Sequence, residues 1–132
     1  NLKKLLNLRN YCKLYLIQRE LYKEDMSIVR NCDDILFLGD NKSWIDFNDT
    51  CAIVDNMDLI VSIDTSLIHL AGSMNKKSIL LLSKPADWRW TENFNKIPNW
   101  YDSLIAIRQT EKNTWDLAVK EIENFIKTNQ LN

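Results

Sequence analysis

Glycine occurs only twice in the 132 residues, at Gly39 and Gly72. A Gly-x-Gly-x-x-Gly dinucleotide fingerprint or a glycine-rich phosphate loop needs backbone free of side chains at several closely spaced positions, so both classes are excluded. Proline is as scarce, with two residues. No linker, repeat or low-complexity tract marks an internal boundary, and residues 1–132 read as a single domain long enough to bury a core. The three cysteines, Cys12, Cys32 and Cys51, are odd in number and form no Cys-x-x-Cys pair. That pattern fits a reducing compartment, and the cytoplasm is the expected location. Histidine occurs once, at His69, with no second ligand at metal spacing, so no metal site is expected. No apolar run approaches the ~20 residues of a membrane span, and no cationic segment leads into a signal-like stretch. Excess charge is also lacking. Seventeen Lys and Arg stand against 18 Asp and Glu, which leaves no general footprint for nucleic acid or an anionic membrane. An anion bound here must be held locally.

What is present is an alternation. Short apolar runs at 12–17, 35–38, 59–63, 78–82 and 104–107 are separated by amphipathic stretches, and the pattern predicts an α/β fold with a mostly parallel sheet and helices on both faces. The clearest helix is expected over 114–128, where Trp115, Ala118, Val119, Ile122 and Ile126 share a face and Glu123 and Lys127 pair at i,i+4 on the other. Asp46, with Asp49 in the first turn, should cap a helix running to about residue 57 that turns Phe47, Cys51 and Val54 inward. A weaker helix is expected over 21–30. Leu2, Leu5 and Leu6 have helical spacing from the outset, without an initiator Met or a preceding cap, so the first helix is expected to be entered part-way. About twenty residues between the strands at 78–82 and 104–107 lack helical periodicity and hold three of the five tryptophans, a composition that argues for order and for a role.

Parallel strands all leave a sheet at one edge, where open α/β sheets bind ligands. Residues 18–20, 39–40, 64–66 and 83–84 are expected along that edge. The sharpest segment there is Asp64-Thr65-Ser66-Leu67-Ile68-His69-Leu70-Ala71-Gly72. Asp64 reads as the N-cap of a helix with Leu67, Leu70, Ala71 and Met74 buried and Thr65, Ser66 and His69 on the remaining face. Free helix amides, the positive dipole end, two hydroxyls and an imidazole then suit a phosphate or diphosphate. The plainer reading is a capped helix whose histidine bonds a neighbouring loop. Asp87-Trp88-Arg89-Trp90 reads as a substrate lid or as a clamp in which Arg89 stacks between indoles. Lys76 and Lys77 read as solvated charges, and Cys12 and Cys51 as core packing.

Asp46-Phe47-Asn48-Asp49-Thr50-Cys51-Ala52, Asp58 to Ser66, His69-Leu70-Ala71-Gly72, Asp87-Trp88-Arg89-Trp90 and Trp100-Tyr101, taken in this order, resemble the carboxy-terminal half of the glycosyltransferase-like domain of tetratricopeptide-repeat proteins. That family is related to the ADP-heptose:lipopolysaccharide heptosyltransferases. The resemblance covers almost the whole chain and implies the Rossmann-like, three-layer C-terminal domain of a GT-B glycosyltransferase, which holds a nucleotide-sugar donor. It implies that Asp64, Thr65 and Ser66 meet the diphosphate and sugar, that His69 assists catalysis, that Ile45 flanks the base and that Gln18 matches a glutamine of the family. No separate cofactor is implied, since the nucleotide sugar is the substrate. Ser66 stands where the heptosyltransferases usually have Gly. The implied partners are the other GT-B half and tetratricopeptide repeats. The family's first strand of this half is expected to lie before Asn1, so that the chain is a fragment inactive by itself, and an exposed sheet edge would pair copies.

Two rivals belong to other classes. A degenerate transferase-like module would keep the fold for protein interaction. A receiver domain would use Asp64 as phosphoacceptor and Lys84-Pro85 as its partner, but here that pair follows the very next strand, and Asp33-Asp34 precede the second strand rather than ending the first.

Overall fold

In a computed structural model of the chain, residues 2–84, 87–90, 100–111 and 114–128 are described. The elements run α1 (Leu2–Leu5), a short 3-10 turn (Leu6–Asn10), β1 (Leu14–Leu16), α2 (Lys23–Arg30), β2 (Ile35–Phe37), α3 (Phe47–Asp55), β3 (Ile60–Ile63), α4 (Ser66–Ser73), β4 (Ser78–Leu82), β5 (Leu104–Arg108) and α5 (Asp116–Thr128). Strand and helix alternate from β1 to β4, β5 follows β4 with no helix between them among the described residues, and every strand pairing described is parallel. The fold is α/β. Among the described residues the strands form two sheets, β1-β2 and β3-β4-β5, rather than the one sheet that the alternation implied. Alternation demands crossovers but does not say which strands become neighbours. No helix among the described residues is long and apolar enough to cross a membrane.

The chain divides into two compact units, residues 1–45 with 123–132, and residues 46–122. In the first, Leu14 pairs with Ile35 and Leu16 with Phe37; Ile35 joins Leu6 and Val29 in a buried cluster, on which Leu14, Leu16 and Phe37 pack. Beyond the strands the backbone carbonyl of Gln18 lies 2.5 Å from where a Cβ on Gly39 would stand. The loops leaving β1 and β2 therefore touch, and only glycine fits at position 39. Arg19 lies over the buried Trp44 ring, 4.2 Å from its centroid. Glu123 and Lys127 form the expected pair at 2.5 Å, and the ammonium also lies 4.3 Å from the centre of the Tyr11 ring.

In the second unit β4 is the central strand, and all five of its residues are buried, as a parallel strand covered on both faces should be. Ile68, Leu80, Leu82, Trp90 and Leu104 make one core cluster, with Tyr101 and Ala106 packed on it. Asp46 caps α3 by a reciprocal capping box: its carboxylate accepts from the Asn48 and Asp49 amides, and the Asp49 carboxylate accepts from the Asp46 amide. Val54 faces inward as expected, whereas Phe47, at the first helical position, is exposed. Lys76 is not a solvated charge. Its ammonium donates to the carbonyl of Asp55 at 2.7 Å, placing a cation on the carboxyl end of α3, where the helix dipole is negative.

Helix α4 ends in a Schellman turn. The amide of Asn75 bonds the Gly72 carbonyl at 3.0 Å and that of Lys76 the Ala71 carbonyl at 2.9 Å, with Asn75 at φ 53° in the left-handed region. The turn delivers the chain directly into β4.

Candidate functional site

The site predicted from sequence lies where β3 passes into α4. The N-cap is Thr65, one residue later than expected, and its hydroxyl makes no capping bond. Ser62 Oγ donates to the Ile63 carbonyl at 2.9 Å and so accepts from Thr65 Oγ1 at 3.1 Å. Among the described residues no side chain caps the first amides of α4, and the Ile68 amide bonds the Thr65 carbonyl at 3.2 Å. Asp64, released from the cap, has its carboxylate shared: Oδ2 lies 3.4 Å from an Arg89 guanidinium nitrogen and Oδ1 lies 3.5 Å from His69 Nε2.

The buried side of α4 carries Ile68, Ala71 and Gly72, while Leu67, Leu70 and Met74 are half-buried. This corrects the expected stripe of Leu67, Leu70, Ala71 and Met74. The helix is apolar nearly all round, so spacing alone does not choose its inner face. What chooses is the return of the chain across it. The ring of Tyr101 sits against Gly72 so closely that a Cβ there would lie 2.4 Å from its Cγ. Trp90, 1% exposed, fills the core beside Ile68.

His69, 32% exposed, is held between these two aromatic residues. Its ring stacks on Trp90 at 5.4 Å and meets Tyr101 edge-on at 5.9 Å, and Nδ1 lies 3.1 Å from the Tyr101 hydroxyl. Nδ1 faces the Tyr101 hydroxyl and Nε2 faces the Asp64 carboxylate. His69 thus joins α4 to the returning chain, and a ligand using Nε2 would have to take the place of Asp64.

Arg89 does not rest between indoles. Its Nε donates to Asp87 Oδ1 at 2.9 Å, and its main-chain amide donates to the same oxygen at 3.0 Å. These bonds hold the Asp87 carboxyl below its usual range, the main-chain bond contributing most, and the pairing raises the guanidinium in turn. Trp100 Nε1 bonds the Arg89 carbonyl at 3.2 Å, and Arg108 bonds that of Trp90. The Asp87-to-Trp90 segment is a clamp by ion pair and main chain. Trp88 stays 83% exposed.

Beyond the carboxyl ends of β3 and β4 lies an open depression of about 380 Å³, lined among others by Ile63, Asp64, Leu82, Ser83, Asp87 and Trp115. Of these, Asp87 falls in the segment that the sequence reads as a lid or clamp, and Trp115 is not among the site residues expected from sequence. The Asp87-x-Arg89 spacing was the available signal for the first, while Trp115 was absorbed into the apolar face of the last helix.

Of the other expected site residues, Thr65 and Ser66 open α4 in the same unit, both exposed. Gln18 and Ile45 belong to the first unit, both exposed. Lys84 is described and its amide bonds Gln109 Oε1 at 3.2 Å. Pro85, the other half of the receiver-like pair, lies outside the described residues. Among the described residues no group of three or more His, Cys, Asp or Glu side chains could hold a metal ion. Compared with family models, with curated proteins and with solved structures, the chain finds no match.

Proposed function

We propose that the second unit binds the diphosphate-sugar end of a nucleotide-sugar donor, and that the chain is the donor-binding half of a heptosyltransferase-like glycosyltransferase with the three-layer, Rossmann-like form of a GT-B C-terminal domain. The observation that carries this reading is the depression at the carboxyl ends of β3 and β4, beside the Asp64-Thr65-Ser66 turn into α4. Open parallel sheets bind ligands at that edge. The amides of Ser66 and Leu67, which no side chain caps among the described residues, are donors available to a phosphate, and the negative charge of Asp64 is offset by Arg89. In the reaction an acceptor hydroxyl attacks the anomeric carbon while charge grows on the departing diphosphate. The start of α4 stabilises that charge, together with His69 once a phosphate oxygen replaces Asp64. The base that takes the acceptor proton comes from the other half, so this polypeptide alone is expected to bind donor without transferring sugar.

The test is an amide-resolved NMR titration of the chain with ADP, UDP and their sugar conjugates. Saturable shifts at residues 64–69 are expected, with His69→Ala weakening diphosphates about tenfold more than nucleosides, the loss of one charge-assisted hydrogen bond. Shifts confined to other regions, or none, remove the reading.

One observation favours a second reading, a transferase-like module without catalysis: both imidazole nitrogens of His69 already have partners in the fold. On that reading His69→Ala lowers stability and nucleotides leave the spectrum unchanged. Changes with beryllofluoride centred on Asp64 would point instead to the receiver class.

A further inference from the structure

The lining of the depression is not that of an anion site. Two of its side chains are carboxylates, Asp64 and Asp87, accompanied by Ser83 and the indole of Trp115. Arg89 spans the two carboxylates, at 2.9 Å from Asp87 and 3.4 Å from Asp64. Both bonds from Arg89 to Asp87 fall on Oδ1, which leaves Oδ2 without a hydrogen-bond partner among the described residues. The contacts to Asp64 are long, so its lone pairs are incompletely used.

Charge decides what fits. A phosphate or carboxylate entering here meets two carboxylates whose single guanidinium is already shared. An ammonium group meets that guanidinium at the same oxygens. A neutral group rich in hydroxyls does neither: its O–H groups donate to Asp87 and Asp64, and its C–H face lies on an indole. The volume, about 380 Å³, sits at the lower end of the ~300–1,000 Å³ usual for ligand pockets and suits a small group rather than a whole nucleotide.

We infer that this depression is the subsite for a neutral sugar ring, with Asp87 as the specificity residue that receives its hydroxyls and Arg89 as the positioning residue that holds Asp87 and Asp64 at their spread. The inference rests on the nucleotide-sugar reading above and assigns the parts of the donor: the ring lies in the depression, and the diphosphate lies outside it, against the start of α4. Asp87 is suited to the task because its bonds to Arg89 keep it ionised, and therefore acceptor-only, at neutral pH.

The quantity to measure is the sugar-dependent gain in affinity, the ratio of the dissociation constant of UDP to that of UDP-glucose, with ADP and ADP-glucose as a second series, by calorimetry on the whole chain. UDP-glucuronate and UDP-glucosamine report the sign of the subsite. The wild-type chain is expected to prefer the glucose conjugate to both. Asp87→Asn should cut the gain about tenfold, as expected for one hydrogen bond to a charged group, and should narrow the margin over glucuronate. Arg89→Lys keeps the charge but loses the fork, and should lower the gain without changing the order of preference. Asp87 is exposed, so folding should survive; Asp87→Ser serves as a second variant, and amide spectra unchanged outside residues 83–90 verify it. Equal affinity for UDP and UDP-glucose, a gain unmoved by either Asp87 variant, or a preference for glucuronate or glucosamine overturns the inference while leaving nucleotide binding intact. A wild-type chain that binds no nucleotide in either series removes both readings together.

Discussion

At the scale of residues, His69 and Arg89 fasten the same stretch of chain by different physics. The imidazole contributes ring contacts and a hydrogen bond to Tyr101, a hold made largely by packing. Tyr101→Phe keeps the ring against Gly72 and removes only the hydroxyl, and should cost about 1 kcal/mol in urea denaturation; no measurable loss would mean that the bond contributes nothing to the hold. Arg89 and Asp87 form a half-exposed ion pair, and their effect belongs in a pH profile. The Asp87 carboxyl is depressed in the fold by its main-chain and side-chain bonds to Arg89. Its contribution is therefore complete above the unfolded value of about 3.9 and is lost as pH falls through the lower native value. An Arg89→Gln chain keeps the main-chain bond and loses the side-chain one, so it should lose only the smaller, side-chain share of that acid limb while keeping the rest of the profile.

Helix α4 shows what an element can conceal in its sequence. Glycine inside a helix costs about 1 kcal/mol relative to alanine, so Gly72→Ala would stabilise an isolated helix. Here the added Cβ would meet three Tyr101 ring atoms at under 3.0 Å, and overpacking costs about 1–3 kcal/mol. The second term wins, and a net loss of about 1 kcal/mol is expected, shrinking when Tyr101 is also cut to alanine. At the end of the helix Asn75→Gly should be neutral or slightly stabilising. Asn75→Val should cost about 1–2 kcal/mol, because a β-branched residue resists the left-handed region. Equal stabilities for these two variants would contradict the Schellman assignment. Capping of α3 was legible beforehand, since Asp46 and Asp49 stand at the spacing a capping box needs. The N-cap and inner face of α4 were not. Asp64 is as good a cap as Thr65 by residue type, and the choice went to the arrangement in which Asp64 meets Arg89, twenty-five positions away.

For the molecule as a whole, each strand expected from the apolar runs is present, within a residue or two at its ends. The division of those strands between two sheets was not legible, because pairing is a long-range choice among similar apolar segments. It has a measurable correlate. The β1-β2 pair has three residues in each strand, and short two-stranded pairs are marginal alone; β4 is buried throughout between two neighbours. Native-state hydrogen exchange should therefore find the slowest amides in β4 and markedly faster exchange in β1 and β2. Equal protection in both sheets would show that the units open only together. The tryptophans provide a simpler gauge. Trp90 is shielded from a dissolved quencher, whereas Trp88 and Trp100 stand open to it, so in a Trp44→Phe chain, which removes the other buried indole, the share of emission that acrylamide fails to extinguish measures how firmly the returning chain stays seated.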